Sequence, residues 1–192
     1  NVLVTTWHAP GGWIEVRDAL AMGPRRGPDT ITPHTRPPAD EDAAHTLVRT
    51  VRCLDGSVEL ELLCEPVFDY GRTPAEWTVD EAAGSADASG DGVTLRLRTD
   101  MAPGVEGGRV RARHVLRAGE RAYCSLSWAE ELAALADAAE AEAMLAATAA
   151  FWRDWLEANF PPTLKGHGML AMAERPFAHP ELQAWRKAIG EK

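Results

Sequence analysis

Short runs in which apolar and polar side chains strictly alternate constrain this chain more than any other feature. Val58, Leu60, Leu62 and Cys64 occupy every second position, with Glu59 and Glu61 between them and Glu65 after. Side chains of a strand point alternately to its two faces, so such a run has one apolar and one acidic face. The pattern returns where Val93, Leu95 and Leu97 alternate with Thr94, Arg96 and Arg98. It returns again where Arg109, Arg111 and Arg113 alternate with Val110, Ala112 and His114, followed by Leu116 and Arg117. In a further run Ala122, Cys124, Leu126 and Trp128 share one face and Tyr123, Ser125 and Ser127 the other. Rows of arginine and glutamate on outer faces suit ion pairs between neighbouring strands.

Turn residues punctuate these runs. Val2 to Trp7 and Trp13 to Ala19 flank Ala9-Pro10-Gly11-Gly12, which predicts a hairpin. His45 to Cys53 and Ser57 to Glu65 flank Asp55-Gly56, a dipeptide that tolerates the positive φ angles of a tight turn, and a second hairpin is predicted there. Residues 20 to 43, with Gly23-Pro24-Arg25-Arg26-Gly27-Pro28 and Arg36-Pro37-Pro38, read as a long surface loop, in which Asp40-Glu41-Asp42 is a solvated run. About eight strands at a spacing of about ten residues predict an antiparallel β-sandwich over residues 1–128.

Beyond Trp128 the composition changes. Residues 129–150 hold twelve alanines, which favours helix. Asp137 with Glu140 three residues later resembles a capping box, and Leu145, Thr148, Trp152 and Leu156 follow helical spacing up to Asn159 and Pro161-Pro162. One helix is predicted from Asp137 to Ala158. Phe151, Trp152 and Trp155 spread over more than half of its circumference, more than one packing surface uses, and are candidates to meet a partner surface or to drive self-association. Residues 129–158 thus form a linker and helix, and residues 159–192 a short helical tail. In that tail His167 and His179 have no nucleophile or carboxylate placed with them, and Pro180 to Ile189 reads as a short helix.

The 192 residues carry 20 Lys and Arg against 29 Asp and Glu, a formal charge of −9. That balance opposes a nucleic-acid partner, which needs a basic face. No apolar run reaches the ~20 residues of a membrane span. Cys53, Cys64 and Cys124 cannot all pair within one chain, and no Cys-x-x-Cys or Cys/His cluster has zinc spacing. Buried free thiols in a reducing cytoplasm, with neither metal nor cofactor, are expected. Trp7, Trp13, Trp77 and Trp128 fall in predicted strands, where core or half-buried packing is the ordinary outcome, although exposed ones would stack on sugar rings.

Several strings together resemble the N-terminal β-sandwich of bacterial family-15 glycoside hydrolases, the trehalases, glucoamylases and glucodextranases. They are Asn1-Val2-Leu3-Val4-Thr5-Thr6 with Val16-Arg17-Asp18; Leu47-Val48-Arg49-Thr50-Val51-Arg52-Cys53; Pro66-Val67-Phe68-Asp69-Tyr70-Gly71-Arg72; Leu116-Arg117-Ala118-Gly119-Glu120-Arg121; and Phe151-Trp152-Arg153-Asp154-Trp155-Leu156. The third string is the most specific. The resemblance covers residues 1 to about 156. It implies a non-catalytic domain whose partner is an (α/α)6 barrel carrying the acid and base of an inverting hydrolysis. No segment here matches the barrel, so no catalytic residue is assigned and the isolated chain is expected to be inactive. Phe68, Asp69, Tyr70 and Arg72, with Phe151, Trp152 and Trp155, are the candidate domain-interface residues. Asp69 with Arg72 also fits a locally paired turn. The family's chains begin upstream of the first string with further strands, which predicts an open sheet edge here. The alternative is a free-standing carbohydrate-binding or protein-interaction module.

Overall fold

A computed structural model of the chain describes residues 1–23, 43–128 and 135–159. The predicted loop lies mostly outside the described residues, as do the tail and its histidines. The chain divides into two compact units, Asn1–Trp152 and Arg153–Lys192. The first is mainly antiparallel β.

Strands β1 (Leu3–Ala9) and β2 (Gly12–Met22) form the predicted hairpin, closing on Pro10 and Gly11 between the paired Ala9 and Gly12. Next come β3 (Ala43–Cys64), β4 (Val67–Phe68), β5 (Thr73–Pro74), β6 (Glu76–Asp80), β7 (Ser85–Gly90) and β8 (Val93–Thr99). Strands β9 (Gly104–Glu106), β10 (Arg109–Arg117) and β11 (Arg121–Ser127) precede helix α1 (Ala138–Asn159). The main sheet runs β1-β2-β3-β11-β8-β7-β6, and β10 and β9 branch from β3.

The second predicted hairpin is not formed. Asp55-Gly56 lies inside β3, which continues for 22 residues. Gly56 does take a positive φ of 72°, but neighbours on both sides use it to kink a through-going strand. On one side the Ser57 amide donates to the Gly11 carbonyl at 2.8 Å. On the other, the Ala118 amide donates to the Gly56 carbonyl and the Gly119 amide to that of Cys53, both at 2.9 Å. Opposite β2 the register slips by one residue near Leu54, between the pairs Trp13↔Asp55 and Ile14↔Cys53. Such a bulge bends a strand and lets it pass from one layer to another. The first half of β3 pairs β2 and β11, and the second half pairs β10.

The two layers meet through the faces that alternation predicted. Leu62, Cys64 and Val110 from β3 and β10 pack with Trp77, Val79, Ala86, Leu97, Cys124 and Leu126 of the main sheet. Near the kink, Val58, Ala112 and Leu116 pack with Cys53, Ala122 and Met101. The opposite face of the main sheet carries α1: Ala141 and Leu145 pack with Ala19, Ala21, Val48 and Tyr123. The Thr148 hydroxyl accepts the Met22 amide at 3.1 Å, and the Tyr123 hydroxyl donates to the Leu135 carbonyl at 2.9 Å.

The start of α1 follows the predicted cap. Asp137 Oδ1 accepts the Glu140 amide at 2.9 Å. The reciprocal bond goes one residue further back than a capping box requires, from the Ala136 amide to Glu140 Oε2 at 2.8 Å. The arginine and glutamate rows form cross-strand pairs, Arg113 with Glu61 at 3.5 Å and Arg109 with Glu65 at 3.3 Å. Arg96 grips Asp87 by two bonds of 2.7 and 2.8 Å. No described helix is long and apolar enough to cross a membrane.

Candidate functional site

The most specific sequence string forms a small loop that buries one aromatic and displays another. β4 and β5 pair through Val67↔Pro74 and Phe68↔Thr73, leaving Asp69 to Arg72 as the connection. Phe68 is buried, and its ring lies on Gly90, where a Cβ would approach Phe68 Cγ to 2.8 Å. Asp69, Tyr70 and Gly71 follow in the left-handed region, with φ of 45°, 54° and 89°. Left-handed backbone costs about 1–2 kcal/mol for a residue with a side chain. The Arg72 amide donates to the Asp69 carbonyl at 3.1 Å, and the Arg72 guanidinium stands 3.5 Å from Asp69 Oδ2. This geometry leaves the Tyr70 ring fully exposed. Strained backbone conformations cluster at functional sites, and tyrosine is enriched among the residues that carry interface energy.

The helix aromatics have unequal environments. Phe151 is buried and meets Trp152 edge to face, with ring centroids 5.6 Å apart; Trp152 and Trp155 are half-buried. Of the three helix aromatics, Phe151 is thus the most enclosed.

Several of the described carboxylates are engaged by backbone amides. Partial desolvation raises the affinity of Asp100 for a proton even though the residue is exposed at the surface, and its Oδ1 accepts the Tyr123 amide at 3.0 Å. Asp137 is committed to its helix cap. Tyr123 itself is raised by burial, with Arg98 acting against the shift. No group of three or more His, Cys, Asp or Glu among the described residues could hold a metal ion. Burial pushes the Cys124 thiol up to about 11 and raises Cys64 as well.

Sequence reasoning missed a cleft of about 180 Å³ between the layers, lined by Ile14, Val16, Val51, Leu60, Leu62 and Met101. Alternation had marked Leu60 and Leu62 as core. It carries no information about which strands lie over them. Trp7 and Trp13 were expected to pack in their strands, yet they are 59% and 39% exposed, and Trp128, just past β11, is exposed too.

No protein-family model matches the chain. It is 42% identical over 168 residues to a trehalase of Mycolicibacterium smegmatis and 40% identical over 168 residues to a trehalase of Mycobacterium tuberculosis. The chain is related to trehalases. The matched segment is 83% of the chain and 25% of each relative, so this trehalase-related chain spans about a quarter of the length of the curated relatives it matches.

Proposed function

We propose that the chain is the non-catalytic N-terminal β-sandwich of a family-15 glycoside hydrolase of trehalase or glucoamylase type. Its work is to buttress the (α/α)6 barrel that carries the acid and base. The observation that supports this most is the match to two trehalases over only a quarter of their length by a chain whose described part is a sandwich and a helix. In this reading the loop Phe68 to Arg72 and the aromatic end of α1 face the barrel. Tyr70 is the exposed anchor, and Asp69 and Arg72 hold its backbone. Free thiols at Cys53, Cys64 and Cys124 fit a reducing cytoplasm.

Two measurements test it. The pure 192-residue chain incubated with trehalose or maltose is expected to release no glucose; hydrolysis would sink the reading. In the full-length parent enzyme, Tyr70→Ala is expected to lower the unfolding temperature and the activity. An unchanged parent enzyme would remove the loop from the interface.

The exposure of Trp7 favours a second reading, a free-standing carbohydrate-binding module. Saturable saccharide binding by the isolated chain, abolished by Trp7→Ala, would select it.

A further inference from the structure

Helix α1 lies on the sheet through a contact that does little to distinguish one axial position from the next. Ala138, Ala141 and Leu145 pack with Ala19, Ala21 and Val48, and the fully buried Thr148 continues the same stripe of the helix. Interlocking of large side chains is what sets the position of a packed helix. To this cluster α1 supplies one large buried side chain, Leu145, with Met144 half-buried beside it. Ala138 and Ala141 present the same methyl group on successive turns.

Two directional bonds supply what the alanines lack. The Tyr123 hydroxyl, on a residue 2% exposed, donates to the Leu135 carbonyl just before α1 begins. Tyr123 is itself held at both ends of its peptide unit: its amide donates to Asp100 Oδ1 at 3.0 Å and its carbonyl accepts the Thr99 hydroxyl at 2.7 Å. Further along the helix the Thr148 hydroxyl accepts the amide of Met22, the last residue of β2. Met22 stands at a register slip between β2 and β3, where a ladder is locally disrupted. Sliding α1 by one residue would carry its groups about 1.5 Å along the axis and about 100° around it. Both bonds would break and leave polar groups unpaired in the interior, the costly outcome for a hydrogen bond. A third tie, Arg121 with Glu142 at 2.9 Å, has both side chains partly in water and holds the helix less firmly.

We propose that these two buried bonds, Tyr123 to Leu135 and Met22 to Thr148, lock the axial register of α1 on the sheet. The lock matters because α1 runs from Ala138 to Asn159 while the first unit ends at Trp152, so one helix carries the chain from the first unit into the second. A slip of one residue would re-aim every side chain of its last turns, Trp152 and Trp155 included. The functional consequence rests on the reading of the chain as a sandwich that buttresses a barrel: the lock selects which helix face the barrel meets.

The test uses the 192-residue chain with Thr148→Val and Tyr123→Phe, each of which keeps the shape of the side chain and removes one bond. Amide exchange at Met22 is expected to be at least tenfold faster in Thr148→Val and to return towards the original rate in Thr148→Ser. In the double variant, methyl NOE contacts from Leu145 to Val48 and Ala19 are expected to be joined by a second set from a shifted helix. Should the double variant not fold, the same contacts read in Thr148→Val decide. A single unshifted set of contacts, or an unchanged Met22 amide, overturns the proposal. In the full-length parent enzyme, Thr148→Val is expected to lower activity and Thr148→Ser to restore it. A parent enzyme indifferent to Thr148→Val, when the isolated chain does show the shifted helix, would overturn the reading of α1 as facing the barrel and not the lock.

Discussion

Gly12 of β2 and Gly56 of β3 face each other so closely that a Cβ on Gly56 would come within 2.9 Å of Gly12 Cα. Gly56 also sits at a φ of 72°, which side chains other than hydrogen resist. The kink that sends β3 from one layer into the other rests on this pair. Gly56→Ala is expected to destabilise the fold by about 2 kcal/mol or more, from left-handed strain plus the backbone clash. Urea unfolding measures it; a change below about 0.5 kcal/mol would show that the kink tolerates a side chain.

The cap of α1 is separable from its packing. Asp137→Ala removes the acceptor of the Glu140 amide and should cost about 1 kcal/mol, while Asp137→Asn or Asp137→Ser should restore most of it. Equal losses in all three variants would mean that charge, not capping, is the source.

Asp100 gives a pH signature of definite sign. Burial raises its pKa from the ordinary 3.8, so the folded state binds the proton more tightly than the unfolded state. Its contribution is fully present below pH 3.8 and is lost as pH rises through the raised folded value. Asp100→Asn keeps an oxygen for the Tyr123 amide and carries no charge. The variant is expected to be the more stable at pH 7, by a margin that shrinks towards pH 3.5. Denaturant midpoints at both pH values check this, and a margin that grows in acid contradicts it.

Cys124 should resist chemistry that its partial exposure alone would allow. With its thiol pushed up to about 11, little thiolate exists at pH 8, so alkylation of the native chain by iodoacetamide should be slow there. In denaturant all three cysteines should react. Mass spectrometry of the modified peptides reads the difference, and rapid native labelling at Cys124 would refute the burial argument.

Much of this was legible without coordinates, and the rest failed for definable reasons. Alternation placed Val58, Leu60, Val110 and Leu116 on inner faces, because side-chain direction in a strand follows from local geometry. The Asp137 cap and the extent of α1 were legible because helix signals span only a few residues. Asp55-Gly56 misled: its propensity for positive φ was real, but hydrogen bonds to the Gly11 carbonyl and from the Ala118 and Gly119 amides, all distant in sequence, made it a kink instead of a reversal. The loop at Phe68 to Arg72 was recognised as a string, whereas its consecutive left-handed residues and the exposure of Tyr70 were not.

The sequence by itself determined which residues of most strands seek the core and where the helix begins, since both depend on neighbours a few positions apart. Only the tertiary structure decided that β3 serves two layers, that its glutamates meet the arginines of β10, and that Leu20 and Leu47 stay exposed. Those outcomes depend on which strands lie opposite one another, and a pattern of period two is the same whatever lies across from it.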